Sequence, residues 1–213
     1  MKLVLLLSRI LQTVSQHGSN TDLYRPMINR HSNYSLIMIE KTFSTIKINL
    51  LSIPFTILAI GLIFSLYFQL FGNIKEEMSK LNGLVVFISF FGCIIIHELI
   101  HGLFFAKYAK EGFKNIHFGI KWKVLTPYCH CNESIKAQHY RIAILAPTIF
   151  LGFIPLIFGF IFKEINTVGL STLMIIGGIG DFISLWMLKE LNKDSMVIDH
   201  PCKIGFFYSK STI

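Results

Sequence analysis

An unbroken apolar run from Leu84 to Ala106 carries two histidines and a glutamate in its second half, as His97-Glu98-Leu99-Ile100-His101-Gly102. A run of this length can cross the hydrocarbon core of a bilayer as a helix, where ionisable side chains are costly and mark a functional site by default. Residues four apart stack on one helical face, so His97 and His101 can direct two imidazole nitrogens at one metal ion. Glu98 lies beside that pair. There it can take a proton from a metal-activated water, the arrangement by which zinc-dependent hydrolases attack an amide at neutral pH. The alternative is a buried polar cluster that binds nothing.

Three further apolar stretches of bilayer length accompany the first: about Asn49 to Gly72, Ile142 to Phe162 and Val168 to Leu188. With 53% hydrophobic and 15% charged residues and a mean hydropathy of +0.58, the chain is too apolar for a water-soluble domain of its size. The expected fold is an all-α polytopic membrane protein of about four transmembrane helices, with a short β-hairpin or ribbon between the second and third. The net charge of +8 does not indicate nucleic acid, because the basic residues follow the loops and form no patch interleaved with aromatics. Lys and Arg number six before the first span, two in the first connection, seven in the second, one in the third and four in the tail. That bias puts both termini and the second connection in the cytoplasm and suits a bacterial cell membrane. Of the four cysteines, Cys93 lies in a span, whereas Cys129, Cys131 and Cys202 fall on the expected cytosolic side, where thiols stay reduced. Cys129-His130-Cys131 looks like a second metal site but lacks the two-plus-two spacing of structural zinc sites.

Taken in order, residues 1–35 form an N-terminal arm, poorly ordered or interfacial: a short Leu-rich start interrupted by Arg9, then a Ser- and Asn-rich linker from Gly18 to Ser35. Residues 36–208 form the membrane domain, and 209–213 a tail. Leu36 to Ile48 is expected along the cytosolic interface. The first span holds Pro54 and no ionisable group, and the span with the HExxH runs from outside to inside, which puts a metal in the inner leaflet. In the second connection Ile116, Phe118, Ile120, Trp122 and Val124 alternate with a period of two, so a hairpin or ribbon is expected there, with Thr126-Pro127 ending the strand. Ala146-Pro147 and Pro155 kink the third span. The fourth contains Gly177-Gly178-Ile179-Gly180-Asp181, and Asp181 is the one acidic residue besides Glu98 deep in any span. Its depth matches the HExxH, so it can complete a three-ligand site with one open position, the glycines letting the two helices approach. A protonated Asp181 bonded to a neighbouring helix is the alternative. The tail, Asn192 to Ile213, is expected back at the interface, with Phe206, Phe207 and Tyr208 as anchors and no catalytic role for Asp194 or Asp199.

These residues also carry a family resemblance. HELIHG in a span, Pro127-Tyr128 after the ribbon, Leu145-Ala146-Pro147, Gly180-Asp181 and the closing Asp199 to Tyr208 together resemble the domain-of-unknown-function family of membrane zincin peptidases, over about Leu36 to Tyr208. In general plan the chain is similar to site-2-type intramembrane metalloproteases, although no Asn-Pro precedes the aspartate, no Asp-Gly follows it and no PDZ-like module is present. The resemblance implies one Zn2+ per chain held by His97, His101 and Asp181, with Glu98 as catalytic base. It also implies hydrolysis of a membrane-embedded or membrane-proximal protein or peptide, which the ribbon can hold by strand addition. A non-catalytic membrane metal-binding protein or small transporter built on the same residues is the second reading, and a structural or partner-binding protein without metal the third. The sequence carries no signature of oligomeric state.

Overall fold

The computed structural model of the chain describes residues 25–26, 37–122, 126–201 and 203–209. The longest apolar runs form its longest helices. α1 (Thr45–Phe71) is followed by the short α2 (Ile74–Lys80) and by α3 (Gly83–Tyr108), which carries the HExxH. Asn82 opens α3 as an N-cap, its side-chain oxygen accepting from the Val85 N–H at 3.1 Å. The third apolar stretch starts at Ala137, five residues earlier than hydropathy suggests. It runs as α4 (Ala137–Pro147), a π-helical turn (Thr148–Phe153) and α5 (Ile154–Ile161). Pro155 sits in the first turn of α5, where its missing N–H costs least. The fourth stretch is α6 (Ile165–Gly177) and α7 (Ile179–Leu188), bent by 43° at the break between them. Among the described residues three helices are long and apolar enough to cross a membrane, or four if α6 and α7 make one bent span.

The chain is not all-α. Five short strands form one antiparallel sheet in the order β1-β2-β7-β6-β5: β1 (Arg25–Pro26), β2 (Ile37–Phe43), β5 (Ile135–Lys136), β6 (Met196–Asp199) and β7 (Ile204–Ser209). Two others, β3 (Ile116–Lys121) and β4 (Thr126–Cys131), pair as the expected hairpin. The segment before the first span, expected along an interface, contributes β2, paired antiparallel with β7. Two expectations change here. Phe206 and Phe207 are not interface anchors, because Phe206 is fully buried within the chain and Phe207 nearly so. Thr126-Pro127 does not end a strand but begins β4. Expectations for the rest of the N-terminal arm, for Val124, for Cys202 and for the last four residues fall outside the described residues.

The main core joins the sheet to the helices at one end of the molecule, with Phe105, Tyr140, Leu188, Val197 and Phe206 packed together. A smaller cluster at the other end packs Tyr67 against Ile165, Val168 and Phe160. Polar links hold the first end in place. The Arg141 guanidinium donates at 2.7 Å to the carbonyls of both Leu188 and Leu191, satisfying acceptors left over at the C-terminus of α7. Glu133, just after β4, accepts from the N–H groups of Lys110 and Glu111 at 2.7 and 3.1 Å and so ties the hairpin to the end of α3.

Candidate metal centre

Helical spacing aligns His97 and His101 on one face of α3, with Nε2 atoms 3.1 Å apart. The break at Gly178 brings the first turn of α7 to the same place: Asp181 Oδ2 is 3.2 Å from His97 Nε2, and Oδ1 is 3.5 Å from His101 Nε2. The glycines act differently from the expected helix-to-helix approach. A Cβ at Gly177 would meet nothing within 4 Å, whereas one at Gly178 would lie 2.3 Å from Thr148 Oγ1, so it is the third span that needs the bare backbone. Gly102 serves a similar purpose beside the motif, since a Cβ there would lie 2.2 Å from Phe118 Cζ of the hairpin. Its absence lets β3 lie against α3.

The donor chemistry fits a cation. His101 directs Nδ1 at the Ala143 carbonyl, 3.0 Å away. That bond puts the ring proton on Nδ1 and leaves the Nε2 lone pair facing its neighbours. Asp181 Oδ2 is buried with no hydrogen-bond donor. The two Nε2 atoms and the two Asp181 carboxylate oxygens therefore approach one another at 3.1 to 3.5 Å, a crowding of buried acceptors that a cation relieves. In a tetrahedral site with bonds of about 2.05 Å, ligand atoms are about 3.4 Å apart, so these nearest separations are of the size such a site needs. His97, His101 and Asp181 form the one group among the described residues with donor atoms close enough to hold a metal ion.

Glu98 lines the same cavity, of about 220 Å³, together with His97, His101 and Asp181. Its carboxylate accepts from the backbone N–H of Cys129. The register of the hairpin explains why that N–H is available. Asn132 N donates to Asn115 O at 2.9 Å, so in the alternating ladder His130 and Tyr128 also face β3, while Pro127, Cys129 and Cys131 face outward. Pro127, having no N–H to offer, occupies one of these outward positions. No strand covers that edge of β4 among the described residues.

Cys129, His130 and Cys131 do not converge on one point. Burial pushes the Cys129 thiol far up, with the Glu98 charge adding to the effect, and pushes Cys131 up to about 11. Neither offers a thiolate near neutral pH. His130 turns elsewhere: its Nδ1 is 2.9 Å from Asp199 Oδ2, and the Tyr140 hydroxyl donates to Asp199 Oδ1 at 2.7 Å. All three line the cavity. The sequence suggests no catalytic role for Asp199: the adjacent Asp199-His200 pair is its one local signal, and no spacing joins that pair to His130, 69 residues from Asp199.

A family profile described as "Putative zincin peptidase" matches residues 90–196. The match begins inside α3, includes both histidines, Glu98, the hairpin and Asp181, and ends at the first residue of β6. No curated protein and no solved structure matches the chain. The matched half of the chain contains the whole candidate centre, and on this match the protein belongs to the zincin peptidase family so described.

Proposed function

We propose that the protein is a zinc-dependent endopeptidase that cleaves a peptide bond within or beside a membrane. The observation that carries this reading is the meeting of His97, His101 and Asp181 donor atoms within 3.5 Å of one another, with Glu98 in the same cavity. A zinc ion held by those three residues would supply Lewis acidity, lowering the pKa of a water and polarising a carbonyl. The chain's own groups supply the rest. Glu98 accepts the proton of the attacking water and delivers it to the departing amine. The Cys129 N–H orients the Glu98 carboxylate, and the Ala143 carbonyl fixes the His101 ring. The outward edge of β4 can pair with an extended substrate segment by strand addition, next to Glu98. This moves the proposed docking strand from Ile116–Val124 to its partner. A helical substrate would first have to unwind, because its amides are bonded internally.

The membrane reading rests on apolar surface. The most apolar windows of α1 and α3 are only 6% buried within the chain, and large side chains such as Leu62, Phe87 and Leu103 are more than half exposed. Lipid is the environment in which such a surface is stable. The positive-inside bias then puts the hairpin and the five-stranded sheet on the cytosolic side.

Elemental analysis of the detergent-purified protein, combined with a comparison of new peptide termini in membranes, tests this function. Wild type and Glu98→Gln should each hold about one zinc per chain, whereas His97→Ala and Asp181→Asn should lose it. New termini should appear with wild type and fall by on the order of 10²-fold or more with Glu98→Gln. Wild type without zinc, or the same termini from both proteins, would overturn the assignment.

A further inference from the structure

The cavity has a second polar wall. Asp199, the last residue of β6, uses both carboxylate oxygens inside the protein, one for the Tyr140 hydroxyl and one for His130. The three residues come from β6, α4 and β4, and Tyr140 and His130 are 2% and 7% exposed. A buried acid–imidazole pair costs more desolvation than its attraction returns unless its geometry is good, and apolar residues of the same shape would hold β4 to β6 at least as well. Architecture alone therefore does not account for it.

The direction of the bonds is informative. A carboxylate can only accept here, so the ring proton of His130 lies on Nδ1. Nε2 is left as the atom His130 can offer to the cavity it lines. An imidazole with Nδ1 held in this way can carry a proton on Nε2 and donate it in a hydrogen bond while the carboxylate balances the charge. Glu98 accepts from Cys129, the residue next to His130 on β4. One strand therefore positions the acid–base group through its backbone and presents a second group through its adjacent side chain.

We propose that His130 is a second catalytic residue of this site, donating from Nε2 to the substrate carbonyl oxygen as negative charge develops on it. Asp199 and Tyr140 are positioning residues that fix the ring. The proposal rests on the hydrolytic reading above. A group of this kind binds the tetrahedral, charged stage of the reaction and contributes little to the metal or to a planar ligand.

Two zinc-directed probes separate these properties: acetohydroxamate, which is planar, and a dipeptide phosphinate, which places a tetrahedral anion where the scissile amide would lie. Equilibrium binding of both is measured on the full-length, zinc-loaded protein in detergent, together with zinc content. His130→Ala should weaken the phosphinate on the order of 10²-fold and leave acetohydroxamate and zinc unchanged. His130→Gln, which keeps an N–H donor, should recover part of the loss. Asp199→Asn preserves shape and tests the relay even if His130→Ala fails to fold; it should weaken the phosphinate by about tenfold, with the hydroxamate again unchanged. Equal weakening of both probes, no weakening of either, or zinc loss in both His130→Gln and Asp199→Asn would show a structural tie between β4 and β6 and overturn the proposal alone. A wild type without zinc would overturn the hydrolytic reading itself, and this proposal with it.

Discussion

At the scale of single residues, hydrogen-bond direction decides what each ionisable group can do. The Ala143 carbonyl, 42 residues away, holds the ring proton of His101 on Nδ1 and leaves Nε2 facing His97 and Asp181, and Asp199 holds the ring proton of His130 on Nδ1 in the same way on another wall of the cavity. The same logic operates in the loop between β6 and β7. His200 Nδ1 accepts from the Lys203 N–H at 2.9 Å, so its Nε2 carries the proton that faces Glu40 Oε1 at 3.2 Å, and Lys203 Nζ reaches the same oxygen at 2.7 Å. The Lys203 ammonium holds the Glu40 carboxyl below its ordinary value of 4.5, and burial lowers His200 below 6.5. Both groups bind fewer protons folded than unfolded as pH falls through these ranges, so both make the loop less stable in acid. With Lys203 more than half exposed, solvent screening limits the pair to about 1 kcal/mol or less. Glu40→Gln should therefore lower the melting temperature slightly at pH 7, and the gap from wild type should close below about pH 4. Thermal melts in detergent across that range check it; a gap that persists in acid would contradict the ion-pair account.

At the scale of elements, the break between α6 and α7 determines whether a centre exists. An unbroken helix would carry Asp181 along the axis of α6, whereas the 43° bend swings the first turn of α7 to His97 and His101. The bend depends on contact with the third span at Gly178, packed against the buried Thr148. Gly178→Ala should cost about 1 to 3 kcal/mol, because Thr148 has no room to retreat. Zinc content and melting temperature should both fall. Gly177→Ala, with open space around it, should leave them unchanged or raise stability slightly. Thr148→Ala in the Gly178→Ala background should restore part of the loss. Equal effects at the two glycines would rule out the close approach as the cause.

At the scale of the whole molecule, the two ends carry different chemistry. One end has the sheet and the hairpin, whose residues Cys129, His130 and Asp199 line the cavity. The other has α2, where the Tyr67 hydroxyl donates to Glu77 at 3.0 Å and Lys80 lies 2.7 Å from the same carboxylate. If the helices cross a membrane in the orientation set by their flanking charges, these ends face opposite compartments. A membrane-impermeant maleimide applied to intact cells should label Ser79→Cys above the unsubstituted chain. Lys114→Cys should be labelled only after lysis. The reverse pattern would invert the topology and put the cavity on the outer side.

Much of this arrangement was written locally. The apolar stretches located the helices because hydropathy over some twenty residues is enough to specify a bilayer-length helix, although Arg141 and its neighbours showed too little hydropathy to reveal that α4 begins at Ala137. The period-two alternation from Ile116 announced the hairpin, and the four-residue spacing of His97 and His101 placed two donors on one face, since both signals lie within a few residues. Matching depth in two apolar segments was enough to bring Asp181 to them. Sequence did not specify what depends on distant pairing: strands β2 and β7 are joined across more than 160 residues, and Asp199 reaches His130 across 69. Short strands with mixed composition have no period long enough to identify their partners, and the bonding direction of a buried histidine is set by whichever acceptor the fold brings to it. The sequence by itself determined the helices and the histidine pair, through short-range periodicity; only the tertiary structure decided the sheet, the second polar wall and the open edge beside Glu98, because each is made by groups that meet only when the chain is folded.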